Sequence, residues 1–370
     1  MAMNVSRRRA LRAAGAASLL SAAPAAAARA WPIAESAATP KLCLELSGGR
    51  LSVGGEESRG IRRVKQLGVT HVLSGGPRIP WQESELRARI ERLKAEGLTL
   101  YNMMIGGFPN TLRGLPGRDQ EIEQVIQSIR AAGKAGLPVI EYNFYAHRLT
   151  EGYYEEIGRG GSGLTAFNYS KVKDLPPLPG IGPFSLEQMW SNITYFLKAV
   201  VPEAEKAGVR LALHPNDPPA PLSRGSGQIM GTLAGWKRLI EIVPSPANGI
   251  TYDCGVTREM GEDPVEVCRY FASRKRINHV HFRNVVVRKP YEDYTEVAPD
   301  EGQVDMFGVM KELVRNQYSG VIYPEHPRAL DADRDNPEFK PFYPGGGGYT
   351  GFAFNVAYAR AMLQAALASV

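Results

Sequence analysis

From Lys41 to the C-terminus, short apolar runs alternate with longer amphipathic ones, and this alternation constrains the fold more than any other feature of the sequence. The spacing predicts strands over 41–47, 69–75, 98–105, 138–146, 209–215, 249–254, 277–284 and 320–325. Between them it predicts helices over 56–67, 83–96, 119–136, 186–207, 229–243, 263–275 and 303–317, with an eighth over 352–368. In the second helix Leu86, Ile90 and Leu93 recur on one face and Gly97 follows as the stop. Ala207-Gly208-Val209 repeats the device, a helix ending on glycine directly before the next apolar run. Eight such units without a break into two halves favour a closed (β/α)8 barrel over an open doubly wound sheet. The Gly/Pro-rich passage 148–183 interrupts the rhythm once and reads as a functional loop, a lid or a binding segment.

The first 30 residues read differently. Ser6-Arg7-Arg8-Arg9-Ala10-Leu11-Arg12 leads into an Ala/Leu-rich stretch over 13–27, and Ala28-Arg29-Ala30 follows as a small-residue cleavage site. This is the pattern of a twin-arginine (Tat) export signal, and it predicts a periplasmic or extracellular protein whose residues 31–370 form one barrel domain. Residues 1–30 hold five arginines and no acid, so the formal charge of +6 falls to +1 without them. The basic pI therefore belongs to the signal, and the remaining charges, interleaved in sign along helical segments, point to neither a nucleic-acid nor a membrane partner. No later apolar run approaches the roughly 20 residues that span a bilayer. Self-association is left open.

Four candidate metal ligands end four late strands: His214 in VRLALHPND, Cys254 in GITYDCG, His281 in INHVHFRN and Glu325 in GVIYPEHPR. In a β/α barrel the C-terminal ends of the strands meet at one mouth, where the chemistry resides. Side chains alternate along a strand, so His279, His281 and Arg283 share a face, as do Ala212 and His214, Tyr252 and Cys254, and Tyr323 and Glu325. Imidazole, thiolate and carboxylate together suit a divalent ion such as Mn²⁺, Zn²⁺, Fe²⁺ or Co²⁺. Of the three cysteines, Cys43 and Cys268 read as ordinary buried residues.

These motifs carry a resemblance. His214-Pro215-Asn216-Asp217-Pro218-Pro219 resembles the H-P-D-D-P-P of mannonate dehydratases, His281-Phe282-Arg283 their H-L-R, and Pro324-Glu325-His326 their P-D-H. Cys254 falls where that family has its C-T-G ligand cysteine, and Tyr142-Asn143-Phe144 and Gly348-Tyr349 match its Y-N-F and G-Y. Asn216 stands for an acid, and Glu325 for a shorter aspartate. The resemblance implies a xylose-isomerase-like TIM barrel, usually with Mn²⁺, that dehydrates a sugar acid to a 2-keto-3-deoxy acid.

The chemistry adds roles. Arg283 is positioned to hold a substrate carboxylate in a bidentate pair, and His326 and Tyr349 are the candidates for moving protons to and from the substrate. Three readings follow: a metal-dependent sugar-acid lyase, a metal-dependent sugar isomerase or epimerase using Glu141 and Glu325, and a non-catalytic sugar-binding protein. Whether Glu141 points into the barrel discriminates the first two.

Overall fold

Eight of the apolar runs become parallel strands: β1 (Lys41–Glu45), β2 (His71–Gly75), β3 (Thr99–Ile105), β4 (Val139–Tyr142), β5 (Arg210–Leu213), β6 (Asn248–Asp253), β7 (Ile277–His281) and β8 (Val321–Tyr323). Each pairs with its neighbour in chain order, and Lys41 of β1 lies opposite Val321 of β8, which closes the barrel. The structure, a computed structural model, describes residues 32–46 and 57–370. The export-signal expectation for residues 1–30 lies outside the described residues. The described residues from Glu35 onward form one compact unit.

The helices that cover the barrel are α1 (Glu57–Gln66), α2 (Glu83–Ala95), α3 (Arg118–Ala135), α4 (Leu186–Ala207), α5 (Leu233–Ile242), α6 (Pro264–Ser273), α7 (Met306–Arg315) and α8 (Tyr349–Ser369). Their starts are written locally. Ser185 and Gln188 form a reciprocal capping box on α4, and Thr232, Asp263 and Asp305 each accept a backbone N–H in the first turn of α5, α6 and α7. Each such cap contributes about 1 kcal/mol. Gly208 ends α4 at φ 69°, a left-handed conformation that a side chain would strain.

The strands are buried on both faces, as the helices on the outside and the packed axis on the inside require. Outward, Tyr142 of β4 packs against Phe196 of α4 with ring centroids 5.7 Å apart. Tyr252 of β6 donates its hydroxyl to the Pro264 carbonyl at the start of α6, at 2.6 Å. Inward and toward the C-terminal ends, the axis turns polar: Asn102, Glu141, Thr251 and His279 are all buried there.

The passage 148–183 is not simply a loop. Tyr153–Ile157 and Gly163–Asn168 form a hairpin that pairs with Asp293–Val297, which in turn pairs with Asn284–Lys289, making a four-stranded antiparallel sheet beside the barrel. Tyr153, Phe167, Tyr169 and Tyr294 gather with Leu149, Val172 and Ala220 into a small second core. Phe167 stacks on Tyr294 at 5.3 Å.

Candidate active site at the barrel mouth

The register of β6 against β7 decides what faces the axis. A bulge between Ile250 and Thr251 shifts the pairing so that Thr251 lies opposite His279 and Asp253 opposite His281. Thr251 points inward and donates to Glu141 Oε1 at 2.8 Å, so Asp253, two residues on, points inward as well. Cys254 therefore falls on the other face. It opens the short helix Cys254–Glu259, its Sγ turns to the carbonyls of Arg283 (3.2 Å) and His281 (3.5 Å), and burial pushes the thiol up. This corrects the ligand expectation at β6, because the geometry brings Asp253, not Cys254, to the two histidines.

The other three expected ligands do converge. His214 lies just beyond the end of β5 and its Nδ1 donates to the Pro215 carbonyl at 2.7 Å, which leaves the Nε2 lone pair facing His281 Nδ1 at 3.2 Å. Glu325 Oε1 lies 3.0 Å from the same His281 nitrogen and Asp253 Oδ2 lies 3.9 Å from it. Ligand atoms of His214, Asp253 and His281 all lie within 4.8 Å of one another. Burial, with His281 nearby, lowers the His214 pKa to about 3, so that ring stays a neutral donor. For His281 burial would do the same, but Glu325, Glu141 and Asp253 outweigh it and push the pKa up to about 9. Around the mouth the carboxylates of Asp217, Asp253, Glu259, Glu296 and Glu325 outnumber the guanidiniums of Arg148, Arg283 and Arg328. Two imidazoles with two carboxylates are a donor set that suits a divalent cation, which would take over the charge that the His281 proton supplies in its absence. The residues fit a divalent metal.

Glu141 points into the barrel, 3.5 Å from His281 Nε2, on the side of the ring away from the other ligands. Both of its oxygens are held, Oε2 by Asn102 (2.9 Å) and Oε1 by Thr251 (2.8 Å). A carboxylate behind an imidazole that holds a metal would fix the ring and raise its basicity, and Glu141 is placed to do so for His281.

His326 directly follows Glu325, and strict alternation would turn it away from the site. Instead its backbone sits at φ 46°, outside strand geometry, and the ring swings back so that Nε2 lies 3.4 Å from Glu325 Oε2. Arg283 is placed differently from expectation. Five carboxylates surround it, it is 2% exposed, and Nε and Nη1 donate to Asp253 (3.1 Å) and Glu259 (2.6 Å). It knits the buried acids together and does not face the cavity. Gly255 makes room for it, since a Cβ there would lie 2.8 Å from Arg283 Cγ. Tyr349 is not brought to the site either: its hydroxyl donates to Gln66 at 3.0 Å and Arg63 lies over its ring.

The cavity above these ligands has a volume of about 190 Å³. Of the four, His214, His281 and Glu325 line it and Asp253 lies fully buried below; Glu45, Ser74, Glu141, Asn143, Arg148, His326 and Tyr343 complete the lining, with Phe342 at its rim. Arg148 and Tyr343 carry no motif of their own in the sequence, yet they line the cavity and Arg283 and Tyr349 do not. Arg148 donates from Nε and Nη2 to the Asp217 carbonyl and Oδ2, at 2.7 and 2.8 Å, and from Nη1 to the Tyr343 hydroxyl. Tyr343 also packs edge-on against His326, 5.3 Å between centroids. Two signals pointed toward Arg148: its place just after the Tyr142-Asn143-Phe144 strand end and at the start of the 148–183 passage.

Comparison with known proteins agrees with the fold. The family profile of D-mannonate dehydratase matches residues 52–178 and 183–369. A mannonate dehydratase of Streptococcus equi subsp. zooepidemicus is 32% identical over 247 residues, covering 60% of this chain and 68% of that protein. The crystal structure of mannonate dehydratase from Streptococcus suis superposes with a TM-score of 0.78 at 27% identity, covering 90% of this chain and 94% of that one. A xylose isomerase-like TIM barrel protein from Mycobacterium smegmatis, solved in complex with magnesium, superposes at 0.59 with 15% identity over 90% of this chain and 100% of that one, a likeness of fold alone. With a closed barrel of this kind and a profile match over most of its length, the chain belongs to the D-mannonate dehydratase family, a family of hydro-lyases.

Proposed function

We propose that this chain dehydrates an aldonate, D-mannonate in the first place, to a 2-keto-3-deoxy acid, with Mn²⁺ held by His214, Asp253, His281 and Glu325. The observation that carries the reading is the convergence of those four side chains directly beneath a cavity that also holds one guanidinium and one histidine. When bound, the ion supplies Lewis-acid polarisation to the substrate oxygens beside it.

The chain's own residues supply the rest. The proton on carbon 2 leaves to a base, the hydroxyl on carbon 3 departs with a proton as water, and the resulting enol converts to the 2-keto acid. Arg148, partly exposed in the cavity, pairs with the substrate carboxylate through the guanidinium hydrogens that Asp217 and Tyr343 leave over. His326 presents Nε2 to the cavity and moves one of the two protons. The Tyr343 hydroxyl, held by Arg148, is placed for the other.

Glu141 and Glu325 lie on the strands that the isomerase reading calls for, but Glu141 is tied to Asn102 and Thr251 behind His281, which favours a supporting role. Purified protein reconstituted with Mn²⁺ and offered a panel of aldonates should form a 2-keto-3-deoxy acid. Interconversion of aldoses and ketoses with no keto acid from any aldonate would replace this reading with the isomerase.

Export by the Tat route is part of the same proposal, supported by the order of Arg7-Arg8-Arg9, the Ala/Leu-rich stretch and Ala28-Arg29-Ala30. Folding before export would also let the site load its ion in the cell, away from competition by copper and zinc.

A further inference from the structure

Glu296 is a residue of the antiparallel sheet, yet its carboxylate lies at the barrel mouth. It sits on Asp293–Val297, opposite Thr165 of the hairpin, and is 1% exposed. Its Oε2 accepts from His326 Nδ1 at 2.8 Å and from Arg328 Nη2 at 2.9 Å. Arg328 in turn donates from Nε and Nη2 to the carbonyl of His326, at 2.9 and 2.7 Å. The same segment is gripped from the sheet's backbone, where Gly163 N–H donates to the Ala329 carbonyl at 2.9 Å. Left-handed backbone at a histidine persists only where the surroundings over-determine it; these bonds do so after the residue, and Asn355 Nδ2, donating to the Pro324 and Glu325 carbonyls at 3.2 and 2.9 Å, does so before it.

We infer that Glu296 and Arg328 are a positioning pair that fixes both the place and the tautomer of His326. The imidazole proton is tied at Nδ1 to Glu296, which leaves Nε2 as the nitrogen that faces Glu325 and the cavity and exchanges a proton with substrate. A carboxylate suits this task because, when ionised, it accepts and never donates, and the guanidiniums of Arg328 and Arg283, at 2.9 and 3.7 Å, favour the ionised form. A glutamine could present an amide N–H to the ring instead and allow the opposite tautomer. The antiparallel sheet is thereby assigned a part in the chemistry, as the frame that aims one side chain of the barrel. The proton-transfer part of the inference rests on the dehydratase reading, whereas the tautomer does not.

The test uses the full chain in the presence of Mg²⁺, labelled with ¹⁵N at its six histidines, with the His326 signals assigned from their loss in His326→Gln. In the wild type the neutral His326 ring should carry its proton on Nδ1. In Glu296→Gln, assayed well below a melting temperature that loss of the buried pair with Arg328 lowers, the Nε2-protonated form should appear, turnover should fall about 100-fold as expected for a misplaced reacting group, and KM and metal content should stay near wild type. Glu296→Asp, which keeps the acceptor on a shorter arm, should recover part of the turnover. A wild-type ring protonated on Nε2 would overturn the inference even if Glu296→Gln failed to fold. So would a folded Glu296→Gln with wild-type turnover, or losses in turnover that merely track melting temperature. If the wild type turned over no aldonate while the Nδ1 tautomer was found, the dehydratase reading would fail and the positioning role would stand.

Discussion

The barrel and the antiparallel sheet meet at one site but are built by different rules. The barrel contributes the metal-ligand candidates His214, Asp253 and His281, each at or just beyond the end of a strand that pairs with its neighbour in chain order. The sheet contributes groups that hold other groups: Glu296 on His326, and Tyr153, whose hydroxyl donates to Asp217 Oδ1 at 2.8 Å. Its strands come from distant parts of the chain, with Asn168 paired to Asp293. Reactive atoms therefore sit on a scaffold written locally, while their aim depends on pairings that no local pattern announces.

Variants in the two regions should fail differently. The largest effect expected with the metal still in place is at His326. His326→Asn should lower turnover about 10²- to 10⁴-fold, the range for loss of an acid–base group, at unchanged metal content. Retained turnover would move the proton transfer elsewhere, with Tyr343 next in line. Glu141→Gln acts one layer below the ligands and should weaken metal binding by about 10- to 100-fold, as loss of a carboxylate behind a ligating histidine does. Unchanged affinity would mean that Glu141 serves only to satisfy Asn102 and Thr251.

A pH series separates the metal-free from the loaded barrel. In the metal-free protein the carboxylates around His281 outweigh its burial and raise its pKa from 6.5 to about 9. A histidine raised on folding adds stability that is full below its unfolded pKa and lost as pH rises through the folded one. The metal-free melting temperature should therefore fall between about pH 6.5 and 9. Loaded protein should lack that fall, because a ligating ring is already deprotonated. A flat metal-free profile over that window would show that His281 is not the proton-binding group in the metal-free site. The smallest effect is expected at Tyr349, whose hydroxyl only reaches Gln66. Tyr349→Phe should cost about 1 kcal/mol or less and leave turnover as it was. A large fall in turnover would bring that residue back into the site.

Much of the barrel was legible because its signals are local. The helix expected over 186–207 is observed as Leu186–Ala207, with Ser185 and Gly208 as its written start and stop. His214, His281 and Glu325 were legible as polar residues ending apolar runs. The inward sense of β6 was not, because a strand buried on both faces shows no polar side by which Asp253 could be told from Cys254. A bulge at Ile250 compounds this by shifting the register. His326 defeated alternation through a single left-handed residue. Glu296, Arg148 and Tyr343 came from segments whose partners lie far away in sequence, so their role depends on contacts that only the folded chain makes.

The choice between Asp253 and Cys254 tests the account most directly. Metal content per chain, measured by mass spectrometry on Asp253→Asn and Cys254→Ser, should differ sharply. The asparagine keeps the helix cap to Val256 N–H but gives up a charged ligand, so Asp253→Asn should lose the ion, while Cys254→Ser, altered on the far face of β6, should hold it at the wild-type ratio. An empty site in Cys254→Ser beside a full one in Asp253→Asn would contradict the geometry of the mouth described here.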